Sequence, residues 1–242
     1  MPELHRRSNF FLYVSYVLLV IVLVGFSPTF YLRAFFDVPA IPSYVYAHGV
    51  AMTAWFIWFC VQTTAVNRGR IALHRRLGTI GITLGGFVLI SGAATALGLA
   101  PRLLEKYGNI DADIPRIAGV FWGNVAGLIA FAGFLTAAFL YRQRPEIHKR
   151  LMLLASIGIS LQAIGRIAKF PMIDAPEGPF AFAGLLILLI LLVVLAIFDK
   201  THNGSVLRVT VLGSCGLLSI LILLGFVVSG TTFGRAFVLA LT

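Results

Sequence analysis

FAFAGLLILLILLVVLAIF, residues 180–198, carries no charged or hydrogen-bonding side chain over its whole length. A helix rises about 1.5 Å per residue and the hydrocarbon core is roughly 30 Å thick, so a run of this length spans a bilayer. Lipid offers no partner for backbone N–H and C=O groups, which leaves the α-helix as the conformation for an isolated apolar run. Working outward from it, six more stretches qualify: about 10–31, 44–65, 77–99, 117–140, 151–168 and 207–228. Span five, 151–168, is the least apolar, because Gln162 and Arg166 interrupt it. The tail 229–242 is apolar but too short to span, and contains Gly230, Gly234 and Arg235. The expected fold is therefore all-α and polytopic: seven transmembrane helices forming a single transmembrane domain over residues 1–242.

Composition excludes an ordinary soluble domain. Hydrophobic residues make up 59% of the 242 and charged residues 12%, about half the usual charged share, and the mean hydropathy is +0.95. The net charge of +10 does not point to nucleic acid, because the basic residues fall in short runs between spans and form no stripe on a soluble face. Cys60 and Cys215 both lie in apolar stretches without Cys-x-x-Cys spacing, which fits small packed hydrophobes better than a thiolate site. The first apolar run follows Arg6 and Arg7 but is long for a signal peptide and lacks a small-x-small cleavage site, so it reads as a retained span.

Orientation follows from the distribution of charge. If the amino terminus shares a side with the connections after spans two, four and six, that side holds twelve of the nineteen basic residues and three acids, a net +9. The other side holds seven basic residues and six acids, a net +1. Basic residues near span ends mark the cytoplasmic side, which places the amino terminus inside, the carboxyl terminus outside and the chain in a plasma membrane. Span three carries Gly78, Gly81, Gly85, Gly86, Gly92 and Gly98; small residues permit close helix approach in lipid, and this span is expected at the centre. Tyr31, Tyr44, Tyr46 and Tyr141 lie at span ends, where amphipathic rings suit the headgroup level.

The sequence also repeats. Residues 68–77 read RGRIALHRRL and residues 142–151 read RQRPEIHKRL, sharing Arg-x-Arg, then His, a basic residue, Arg and Leu at an offset of 74. Each copy joins an even span to the next odd one, so the unit is spans two and three, repeated as spans four and five. Both copies point the same way, which implies an axis along the membrane normal. Beyond the motif Gly49 maps onto Gly123, but His48 maps onto Trp122.

With His48, then His74-Arg75-Arg76-Leu77-Gly78, then His148-Lys149-Arg150-Leu151-Met152 and later Arg166, the chain resembles a bacterial multi-pass membrane family labelled as a domain of unknown function. That family's pattern is a histidine, then His-Arg-x-x-Gly, then His-x-x-Met followed by an arginine. The resemblance covers about residues 44–168, implies a bacterial inner membrane and supplies no activity. A looser similarity links it to membrane cytochromes of the b561 type, whose four-helix core holds haem between histidine pairs. The chain departs from them in lacking the full set of four histidines and in carrying His74 and His148 at span ends.

Two readings of the polar residues stand side by side. His74 and His148, at equivalent repeat positions, are candidate ligands of haem b, with Arg76, Arg150 and the neighbouring arginines facing propionates; or they are interfacial histidines in basic runs attracted to anionic lipid on the cytoplasmic face. His48 is an ionisable group within a span. With Asn124, Gln162 and Arg166 it is expected either to line an outward polar pocket for a quinone headgroup or an anion, or to be bonded within the bundle. Arg166 can instead snorkel to headgroups. Outer connection 101–116, with Glu105, Asp111 and Asp113, reads as a solvated loop; 169–179, with Pro171, Pro176 and Pro179, reads as a stiff turn. No phosphate loop, His-Glu-x-x-His or nucleophile elbow occurs. A haem- or quinone-linked redox protein is the leading functional expectation. The alternatives are a non-enzymatic accessory or assembly subunit bound to a membrane protein partner or to a second copy, and a small-solute transporter or receptor.

Overall fold

Glycines set two tight reversals at one end of the bundle. Gly69 and Gly204 both hold φ at +73°, a left-handed backbone that glycine adopts without the Cβ penalty other residues carry. Each lets one long helix turn back into the next. The computed structural model describes residues 8–36, 38, 40–167 and 178–242, with side chains throughout except at 178–183; residues 168–177, and with them most of the expected stiff turn, lie outside the described residues.

The long helices in chain order are α1 (Phe10–Gly25), α2 (Ser43–Asn67), α3 (Ile71–Leu97), α5 (Ile114–Leu140), α6 (Pro145–Ile167), α7 (Gly178–Asn203) and α8 (Arg208–Ile222). Two short ones, α4 (Leu99–Tyr107) and α9 (Thr232–Leu239), complete the set. Among the described residues there is no strand. Six of the helical stretches are long and apolar enough to cross a membrane. The first is shorter: α1 ends at Gly25 and the chain continues as a π-helical turn over Ser27–Tyr31. α8 likewise runs on into a π-helical segment, Leu223–Val228. Outer connection 101–116 is not a plain loop, since α4 fills its first half and a 3₁₀ turn covers Asp111–Asp113. Both form because Leu99, Leu103 and Leu104 pack on Ile110, Ile114 and Ile117.

The connections 68–70, 141–144 and 204–207 gather at one end with the start of α1. Asn67 Nδ2 donates to Asn9 Oδ1 at 2.6 Å, and His148 reaches back to Ala138 across the α5–α6 turn. This basic end holds the repeated motifs. α2 with α3 and α5 with α6 form the two most extensive antiparallel pairs.

The central helix is α6, not the glycine-rich third span. In α6, 67% of the most apolar window is buried, against 33% in α3. α6 packs on α1, α5, α7 and α8, while α3 contacts mainly α2 and α5. Protein, not lipid, surrounds α6, so it tolerates Ser156, Ser160 and Gln162. Ser156 Oγ donates to Met152 O and accepts from Trp55 Nε1 at 3.3 Å. Trp55 itself is fully buried, edge-on to Phe131 at 4.7 Å.

Close approach of α1 to α6 depends on Gly25. A Cβ there would sit 2.3 Å from the Ala163 carbonyl oxygen, a backbone atom. Gly25→Ala is therefore expected to destabilise the protein by about 1–3 kcal/mol, the usual cost of overpacking, read as a lower unfolding midpoint in detergent. Gly86→Ala, with open space around its Cβ, is the control and should keep or slightly raise that midpoint, because alanine favours a helix interior over glycine.

Candidate functional site

The two histidines of the repeated sequence motif lie together. His74 opens α3 and His148 opens α6, and their rings lie 6.2 Å apart between centroids at an interplanar angle of 74°. His148 is oriented by α5: its Nδ1–H donates to the carbonyl oxygen of Ala138 at 2.8 Å. That bond fixes the tautomer and leaves the Nε2 lone pair available to a ligand. His74 Nδ1 is buried with no hydrogen-bond partner.

A second buried polar group without partners stands at the same level. Gln62 of α2 is 4% exposed, and neither its amide nitrogen nor its oxygen has a partner. One turn before it, Trp58 Nε1 donates to Leu77 O of α3 at 3.3 Å. In an antiparallel pair one turn toward the basic end from that contact is Gln62 on α2 and His74 on α3. The sequence reading missed Gln62; the signal was an amide inside an apolar span, beside Thr63 and Thr64.

Arg76 and Arg150, equivalent in the repeat, have different surroundings. Arg76 is exposed with Arg75 beside the histidines. Arg150 is 0% exposed and ion-paired with Asp199 of α7, also 0% exposed. Arg150 Nε donates to Asp199 Oδ1 at 2.9 Å, and its Nη1 donates to the backbone oxygen and a carboxylate oxygen of Glu146, each at 2.7 Å. The other Asp199 oxygen accepts from the Thr210 hydroxyl and from the Leu207 N–H at 3.2 Å. Arg150 thus ties α6, α7 and the start of α8 together and is fully buried, so of the pair Arg76 is the exposed one. At the basic end a cleft of about 370 Å³ is lined by Arg68, Arg70, Tyr16, Thr64 and Leu73 among others.

The four outer polar residues each have surroundings of their own. His48 pairs with α3: Ser91 Oγ donates to Phe87 O at 2.7 Å, so His48 Nδ1–H donates to Ser91 Oγ at 3.1 Å. Arg166 turns toward the end of α1, donating to Thr29 Oγ1 at 3.4 Å and lying 4.7 Å over the Phe26 ring. The Gln162 amide faces Gly123, and Asn124 is half-buried. Among the described residues no hydrogen bond joins these four. At the repeat position of His48, Trp122 donates instead to Gly234 O at 3.0 Å, which docks α9.

Two imidazoles on opposite sides of one metal, with metal–nitrogen bonds of about 2.0 Å, have ring centroids roughly 6.2–6.4 Å apart. The His74–His148 separation matches. No group of three or more His, Cys, Asp or Glu side chains suited to a metal occurs among the described residues, which sets this pair apart from structural zinc, with its four protein ligands. Haem takes only two axial ligands from the protein, the number of imidazoles that this pair offers. In comparisons with known proteins, no family model, no curated protein and no solved structure matches the chain.

Proposed function

We propose that this is a redox protein of the bacterial inner membrane that holds one haem b between His74 and His148 on the cytoplasmic side. The observation that carries this reading is the 6.2 Å pairing of two histidines from equivalent repeat positions, one of them already fixed in tautomer by Ala138. When bound, haem supplies a one-electron carrier. The chain's own residues do the rest: Ala138 orients His148, Arg75 and Arg76 would pair with the propionates, and the Arg150–Asp199 pair, two residues from His148, holds α6 in place. The likeness to b561-type cytochromes supports the same reading, reduced here to a single histidine pair. Hemin titrated into the purified protein is expected to reach its absorbance endpoint at one per chain. An endpoint absent, or insensitive to His74→Ala, would refute it.

Seven spans and a duplicated core form the framework of this proposal. α1 and the π-helical turn together cover Phe10–Tyr31, enough to cross a bilayer, and the +9 end lies in the cytoplasm. Arg68 and Arg70 at the cleft suit anionic lipid there. A reporter fused after Thr242 should read as external and one between Arg68 and His74 as cytoplasmic. A cytoplasmic reading at Thr242 would require an even number of spans.

A further inference from the structure

We infer that Gln62 is a positioning residue for His74, its amide oxygen accepting the His74 Nδ1–H directly or through one buried water when the site is loaded. This rests on the haem reading for its function; the contact itself is argued from two buried polar groups that both lack partners. A buried amide without partners costs about 1–3 kcal/mol, and Gln62 lacks partners at both nitrogen and oxygen. His74 Nδ1 is the buried counterpart, placed at the same level by the Trp58–Leu77 bond. The two histidines are then held in the same way but by different means. His148 gives its Nδ1–H to a backbone carbonyl, available because α6 starts within the α5–α6 turn. His74 has no such carbonyl and turns to a side chain on α2. Coordination through Nε2 leaves Nδ1 protonated, and that N–H needs an acceptor.

An acceptor on Nδ1–H makes the imidazole a stronger donor and favours the oxidised metal. Gln62→Leu keeps the bulk and removes the acceptor; Gln62→Glu replaces it with a stronger one. In haem-loaded protein the midpoint potential should rise in Gln62→Leu and fall in Gln62→Glu, with the Soret band retained in both. A packing role would leave the Gln62→Leu potential in place, so an unchanged potential in coloured, folded Gln62→Leu protein would overturn the inference while leaving the haem reading intact. A second measurement does not need haem: ¹⁵N-histidine spectra of the haem-free protein. Gln62→Leu should shift the His74 Nδ1 resonance and leave that of His148 in place. If the wild type is colourless, the haem reading fails and this spectrum decides the contact alone. A His74 resonance indifferent to Gln62 overturns it.

Discussion

Replacing Asp199 with leucine is expected to lower the unfolding free energy by about 3–5 kcal/mol, the usual cost of stranding one member of a buried ion pair. Arg150 would then be a fully buried guanidinium with only Glu146 left as a charged partner, and Glu146 is half-exposed. Thr210 and the Leu207 N–H would lose their acceptor as well. The double variant Arg150→Met/Asp199→Leu removes both charges and keeps the volume, so most of the loss should be recovered, because apolar replacement of a whole buried pair is often neutral. Chemical unfolding in detergent reads both. A single variant as stable as wild type, or a double variant no better than the single, would show that the pair does not hold α6, α7 and α8 together.

The second large effect concerns the histidines. His74→Ala and His148→Ala should each abolish the Soret band, because one axial imidazole from each side is needed and among the described residues no third histidine adjoins the pair. His48→Ala should leave the band in place, since His48 hydrogen-bonds to Ser91 in the half of the bundle away from the basic end. Loss of colour in His48→Ala alone, with the fold intact, would move the site to the outer half.

The helices and the histidine pair were legible in the sequence; much of the polar detail was not. An apolar run of spanning length has one conformational solution in lipid, so Phe180–Phe198 or Leu77–Leu99 can be read directly. The shared motif marked His74 and His148 as a pair in the sequence, and their rings lie 6.2 Å apart. Depth along a span does not fix which face a side chain occupies, so His48, Asn124, Gln162 and Arg166 read as one group although His48 bonds to Ser91 and Arg166 to Thr29. Asp199, next to Lys200 at the end of an apolar run, is one of the three acids counted to the basic side. It is buried because Gly204 folds α8 back and brings Thr210 over it. The glycines of α3 looked like the mark of a central helix, yet Gly78 and Gly86 face open space, while α6, interrupted by polar residues, takes the centre.

The most direct test of the haem site is the reduced-minus-oxidised visible spectrum of protein purified from haem-replete cells. A Soret band that shifts on reduction, at one haem per chain, is the predicted result. A well-folded, colourless protein that stays colourless on adding hemin would contradict it.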